Sequence, residues 1–386
     1  MDQLLIYLFY IFIGVTTVNV CYHLLFFTFA FAPACPAGRE GLSKENTPKN
    51  SSSQDKLPSV SVIVCAKNEA ENLRQYLPTL IAQKYPDFEI ILINDASHDE
   101  TEAVMEEFAL GAPNIKQVNV ENIEAFWGNK KYALTLGIKA ASHNHLLFID
   151  ADCYPNSDTW IQEMAGKFTD AKTLILGYGG YEKIKKSWLN VLIRYETVLT
   201  AMQYMSYAMV GKPYMGVGRN LAYTRELFFE QRGFINHMKI QSGDDDLFVN
   251  EAGNKENTAV NYHPDSFTIS EPKRTFKSWY TQKRRHVNVS KYYNPSDKFL
   301  LGLYYSSQLL FFIFGILLLC YQYQWEVMLI AIGIRYLFAW LAIAASANKL
   351  QEKDVAYLFP IHELFLILFQ LGIFSANLIS KPNRWK

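Results

Sequence analysis

Two aspartates one residue apart, Asp150 and Asp152, close the apolar run HLLFI at residues 145–149. Side chains two residues apart on an extended segment point the same way, so both carboxylates can meet one hard cation. A cation held there could grip a diphosphate. Farther along, SGDDDLFV sets Asp244, Asp245 and Asp246 side by side. Three adjacent carboxylates crowd one another's charge, which raises the pKa of at least one and lets it accept a proton near neutral pH.

Other chemistries lack their residues. No GxxxxGKS/T run occurs, and the first apolar run turns through CAKNEA rather than the glycines of a dinucleotide fingerprint, which disfavours P-loop hydrolysis and nicotinamide chemistry. Cys21, Cys35, Cys65, Cys153 and Cys320 show no short paired spacing, against a disulfide framework or a zinc site and in favour of a reducing compartment. Lys plus Arg and Asp plus Glu are both 37, so no global field attracts nucleic acid.

The elements that must position these residues are short. SVSVIVCA (59–66), FEIILIND (88–95), IKQVNV (115–120) and HLLFID (145–150) read as strands separated by segments of helical length. That alternation predicts an α/β domain with a parallel sheet covered by helices. Ligands of such sheets sit beyond the carboxyl ends of the strands, where KNEAE, NDASHD and DAD all fall.

Taken in order, these stretches resemble the membrane-anchored family 2 glycosyltransferases. The resemblance covers roughly residues 59–288 and implies a GT-A (Rossmann-like) nucleotide-sugar-binding fold and inverting sugar transfer. SVIVCAKNEAENL is similar to the first strand and nucleotide-binding turn, which places Ala66, Asn68 and Glu69 near the base and ribose. IILINDASHDET is similar to the second strand end, with Asn94 and Asp95 where the family usually has an acidic pair. GNKKYALTLGIKAAS resembles the segment whose lysine approaches the diphosphate, here Lys131 with Lys130 as its neighbour. DAD resembles the metal motif and implies Mg2+ or Mn2+ on Asp150 and Asp152, with Asp150 also beside the donor. GVGRNLAY (216–223) looks like the acceptor-side loop, with Gly218 and Asn220 near acceptor or diphosphate. SGDDDLFV is similar to the motif of the general base; Asp245 is the first choice, Asp246 the close second, and Asp244 an orienting neighbour. QKRRH (282–286) resembles the Gln-x-x-Arg-Trp of processive synthases, with Gln282 and Arg285 on one helix face and His286 in place of the tryptophan.

The ends of the chain are apolar. Residues 4–31 carry no acid or base but His23, and at about 1.5 Å per residue they cross about 30 Å of hydrocarbon. The run is long and lacks a basic n-region, so an uncleaved anchor is expected rather than a signal peptide. Three more candidate spans lie at 299–321, 325–347 and 357–379, the first two forming a hairpin. Between soluble domain and spans, residues 272–294 carry seven Lys or Arg and no acid, interleaved with aromatics, as expected of a helix on an anionic leaflet rather than a nucleic-acid patch. The organisation expected is therefore an anchor (1–32), a Ser/Asn-rich linker (33–58), the transferase domain (59–271), the interfacial region (272–296), two or three spans (297–380) and a basic tail (381–386).

Arg39, Lys44 and Lys49 follow the first span, which puts the soluble domain in the cytoplasm of a multi-pass protein, with a bacterial inner membrane as the expected site. Three full C-terminal spans would then leave the basic tail outside. Either one segment is re-entrant or interfacial, the last one with Pro360, His362 and Glu363 being the candidate, or the charge rule fails. Arg335 lies mid-span, paired in the bundle or touching a lipid phosphate. The expected function is sugar transfer from a nucleoside-diphosphate sugar to a membrane lipid or lipid-linked acceptor. A processive polysaccharide synthase and an inactive scaffold of the same fold are the alternatives.

Overall fold

The structure, a computed structural model, describes residues 2–35, 57–121, 130–240 and 242–380. Most of the expected linker and the whole basic tail lie outside the described residues. In chain order the elements are α1 (Asp2–Ala30), β1 (Val60–Ala66), α2 (Ala70–Ile81), β2 (Phe88–Asp95), α3 (Thr101–Gly111), β3 (Ile115–Val120), α4 (Lys130–Ala140), β4 (His145–Asp150), β5 (Cys153–Pro155), α5 (Trp160–Ala165), β6 (Leu174–Leu176), β7 (Gly179–Tyr181) and α6 (Trp188–Met209). There follow β8 (Leu221–Thr224), α7 (Arg225–Glu230), α8 (Asp246–Ala252), β9 (Thr258–Val260), β10 (Thr268–Ser270), α9 (Phe276–Val289), α10 (Pro295–Cys320), α11 (Trp325–Lys349) and α12 (Phe359–Ile379). They form two compact units, one holding the strands and one holding α1, most of α6 and α9 to α12.

The strand unit is built on a seven-stranded sheet of order β3-β2-β1-β4-β8-β6-β9. β1 to β4 are parallel, as their β-branched, buried runs and intervening helices predict. Beyond the four parallel strands expected from sequence, β8 runs antiparallel to both β4 and β6, so the sheet as a whole is mixed. Register decides what meets at the carboxyl edge. Cys65 of β1 pairs with Ile93 of β2 on one side and Asp150 of β4 on the other. Phe148 of β4 pairs with Leu221 of β8, which brings the loop before β8 to the same edge. A second sheet, β5-β10-β7, lies just after Asp152. The core beneath is close-packed, with Val62, Val64, Leu92, Leu147 and Trp160 at 2% exposure or less, each large side chain contributing about 1.5–3 kcal/mol by leaving water.

In the helical unit, four helices are long and apolar enough to cross a membrane: Gln3–Ala30, Pro295–Cys320, Trp325–Lys349 and Phe359–Ile379. Pro360 sits in the first turn of α12, where its missing N–H costs no helical hydrogen bond, and the helix continues unbroken. Arg335 is paired inside the bundle: its guanidinium donates to both oxygens of Glu363 at 2.8 and 2.5 Å, and to Asn19 Oδ1 at 3.3 and 3.2 Å. At 0% exposure it is enclosed within the bundle. The Thr275 side chain caps α9 by accepting the Ser278 N–H. Trp279 stacks on Phe369 of α12 at 4.3 Å between ring centroids. Part of the basic stretch is spent internally. Arg284 donates to the carbonyls of Ala376 and Ser380 at the end of α12, and Lys283 pairs with Glu196 at 2.5 Å.

Candidate active site

At the carboxyl edge of β1 and β4 lies a pocket whose polar wall is Lys130, Asp150, Gly218, Asp244 and Asp245, with Cys65 among the residues at its floor. They come from four different turns. Lys130 opens α4, Asp150 ends β4, Gly218 belongs to the loop before β8, and Asp244 and Asp245 precede α8.

Lys130 organises the charges. Its ammonium lies 2.9 Å from Asp150 Oδ1 and 3.2 Å from Asp244 Oδ2. Burial works to lower its pKa, but Asp150 and Asp244 outweigh that and hold it well above the usual lysine range, so the cation is permanent. Asp245 is fixed by the backbone. Its Oδ2 accepts the Gly218 N–H at 2.7 Å and its Oδ1 accepts the Asp246 N–H at 2.8 Å. A Cβ at position 218 would stand 3.2 Å from Asp245 Oδ2, so a glycine there lets the loop backbone close on the carboxylate. Burial first, then the Asp244 charge, push the Asp245 carboxyl up to about 6, against the pull of Lys130 and the two N–H donors. Asp246 begins α8. The triple aspartate thus divides: Asp244 is paired with Lys130, and Asp245 lines the pocket with a raised carboxyl.

Asp150 and Asp152 come together with Cys153, their ligand atoms within 4.8 Å of one another. The carboxylate pair fits a hard divalent cation. Cys153 does not add a thiolate: its Sγ is hydrogen-bonded with Ser270 Oγ at 2.8 Å, and burial, then Asp152 and Asp150, push the thiol well above its usual range. Burial and Asp150 also raise the Asp152 carboxyl, a strain that a bound cation would relieve.

Several residues singled out from sequence stand elsewhere. Lys131 does not face the pocket, correcting the expectation that it meets a diphosphate: it is 1% exposed and donates to the carbonyls of His237, Ile240 and Ser242. The pocket cation is its neighbour Lys130. Asn220 is wholly buried, accepting Trp160 Nε1–H at 3.2 Å and donating to the carbonyls of Tyr178 and Ser266 at 2.7 Å. The physical reason it is no acceptor ligand is that these bonds consume its amide. Ala66 ends β1 and is buried. Asn68, in the left-handed region at φ 55°, stitches two turns together, its N–H donating to Ser97 Oγ and its Oδ1 accepting the His98 N–H. Glu69 donates its N–H to Thr101 Oγ1 and accepts from Asn72. Asp95, 4% exposed, pairs with Lys67 at 3.6 Å. Gln282 and Arg285 lie one turn apart on α9 of the helical unit.

Sequence reasoning missed Arg219, beside Gly218. Its guanidinium lies 4.4 Å over the Tyr181 ring and donates to the Gly179 carbonyl at 2.6 Å. An arginine directly after the loop glycines Gly216 and Gly218 was the available signal.

The chain is similar to known glycosyltransferases in sequence and fold. Residues 61–229 match the family described as Glycosyl transferase family 2. The chain is 26% identical over 255 residues to the probable glycosyltransferase YdaM of Bacillus subtilis, covering 64% of this chain and 59% of that one. It is 29% identical over 197 residues to glycosyltransferase AglE of Haloferax volcanii, covering 49% of this chain and 59% of that one. The matches thus span about three-fifths of these relatives' length. Among solved structures, mannosyltransferase PcManGT from Pyrobaculum calidifontis, in complex with GDP-Man and Mn2+, gives a TM-score of 0.55 at 15% identity, covering 91% of this chain and 98% of that one. That likeness shows the GT-A fold.

Proposed function

We propose that this chain, whose residues 61–229 match the family described as Glycosyl transferase family 2, transfers a sugar from a nucleoside-diphosphate sugar to a hydroxyl of a membrane lipid or lipid-linked acceptor, with inversion. The observation that carries the reading is Lys130 held between Asp150 and Asp244, with the raised carboxyl of Asp245 in the same pocket. Asp95 and the turn of Ala66, Asn68 and Glu69 take the nucleoside side. Asp150 and Asp152 would hold Mg2+ or Mn2+, which would supply charge neutralisation for a departing diphosphate. Lys130 adds a fixed positive charge where that negative charge develops. Asp245 takes the proton of the acceptor hydroxyl as it attacks the anomeric carbon, so the base stands opposite the leaving group and the product configuration inverts.

The acceptor class rests on the four helices long and apolar enough to cross a membrane. The basic residues at 39, 44 and 49 support a cytoplasmic pocket, where nucleotide sugars are found, in a bacterial inner membrane.

The test uses membranes containing the full chain, a panel of nucleotide sugars, and Mn2+ or a chelator. One sugar should be consumed and transferred to lipid-extractable material with cation and not in chelator, and Asp152→Ala should behave like chelation while remaining folded. Full activity in chelator would overturn the cation assignment, and no turnover of any nucleotide sugar would overturn the function.

A further inference from the structure

We propose that Lys131 is a positioning residue that holds the turn bearing Asp244 and Asp245 in register with the pocket, an inference resting on the transferase reading above. An ammonium offers three donors and no acceptor. At Lys131 the carbonyls of His237, Ile240 and Ser242 converge on Nζ at 3.0, 2.8 and 2.8 Å. All three lie shortly before Gly243, whose φ of +83° turns the chain into Asp244 and Asp245. The neighbouring Lys130 also reaches the turn, 3.2 Å from Asp244 Oδ2. Two successive lysines in the first turn of α4 therefore grip one segment, Lys131 by its backbone and Lys130 by its side chain.

The arrangement is costly to keep. Burial lowers the Lys131 ammonium to about 8, against the favourable charges of Asp244 and Asp245. A methionine of similar length would avoid that cost, but would leave the convergent carbonyls without their charged donor. What the lysine gives in return is position: Asp245 meets Gly218 N–H at 2.7 Å only if the turn stays where these bonds put it. Lys131 is not among the pocket residues, so nucleotide binding does not draw on it.

The experiment uses the full chain in membranes with Lys131→Met, Lys131→Arg and Asp245→Asn, measuring the affinity of UDP and GDP with Mn2+ and the turnover of the consumed nucleotide sugar. Lys131→Met should lower kcat about 100-fold, as expected of about 1 Å of misplacement, with nucleotide affinity native. Lys131→Arg, which restores charge and donors, should recover much of the loss. Should Lys131→Met fail to fold, Lys131→Gln, which keeps two donors, carries the same expectation. Weakened UDP and GDP binding in a folded Lys131 variant would make it a diphosphate ligand and overturn the proposal, as would native turnover. Normal turnover in Asp245→Asn would instead overturn the base assignment beneath it.

Discussion

Lys130 and Asp150 are joined at the carboxyl edge of β4 by an ion pair of 2.9 Å. The same ammonium is one of the forces that keep Asp245 from rising further. Lys130→Met should therefore act twice. UDP or GDP affinity in Mn2+ should fall about tenfold, the loss of one charge-assisted contact worth ~1.4 kcal/mol. The acid limb of kcat should move to higher pH, because Asp245 loses the charge that favours its ionised form. An unmoved limb in a folded variant would separate Lys130 from Asp245.

Asp245 itself sets the pH dependence. A base must be ionised to accept a proton, so turnover should be complete well above about 6 and fall as pH drops through it. Asp245→Asn should lose roughly 100- to 10,000-fold in kcat with unchanged nucleotide affinity. Asp246→Asn should stay active, and the reverse pattern would move the base by one residue. Stability carries the opposite sign. The folded carboxyl titrates above its ordinary 3.8, so its contribution is full below that value and is lost as pH rises through about 6. Asp245→Asn should thus melt above the parent at neutral pH and lose that advantage in acid.

The first four strands were legible because each is a continuous β-branched or apolar run ending in polar residues. The strands β5 to β10 were not: β10 is three residues long and pairs with β5 and β7, far away in sequence. The carboxylates were legible because their chemistry is local. Lys130 and Lys131 could not be told apart, since successive helical residues point about 100° apart and the rotation of α4 is set by burial of Ala133, Leu134 and Ile138. Asn220 read as a ligand because nothing near it in sequence announces Trp160, 60 residues earlier.

Asn220 accordingly yields a stability prediction. Asn220→Ala strands the Trp160 indole N–H and the carbonyls of Tyr178 and Ser266 in a dry core. At about 1–3 kcal/mol for a buried group left unpaired, the domain should lose roughly 3 kcal/mol, seen as a lower Tm, while UDP or GDP affinity of the folded protein is kept. A native Tm with a raised KM for acceptor would return Asn220 to the acceptor site.

The helical unit offers a charge test. Arg335 and Glu363, 0% and 3% exposed, form a two-pronged pair from α11 and α12, with Asn19 of α1 accepting from the guanidinium and Phe311 of α10 4.4 Å beneath it. Four helices thus share one buried cation. Breaking such a pair leaves the partner charge uncompensated and costs about 3–5 kcal/mol, whereas replacing both members by apolar residues of similar volume is often close to neutral. Glu363→Gln should therefore lower the unfolding temperature of the full chain in detergent far more than the double variant Arg335→Met with Glu363→Leu. UDP and GDP affinity should follow neither change, since the pocket belongs to the strand unit. If the double variant is as unstable as Glu363→Gln, the bundle depends on the hydrogen bonds to Asn19 and the packing of the guanidinium on Phe311 rather than on charge balance.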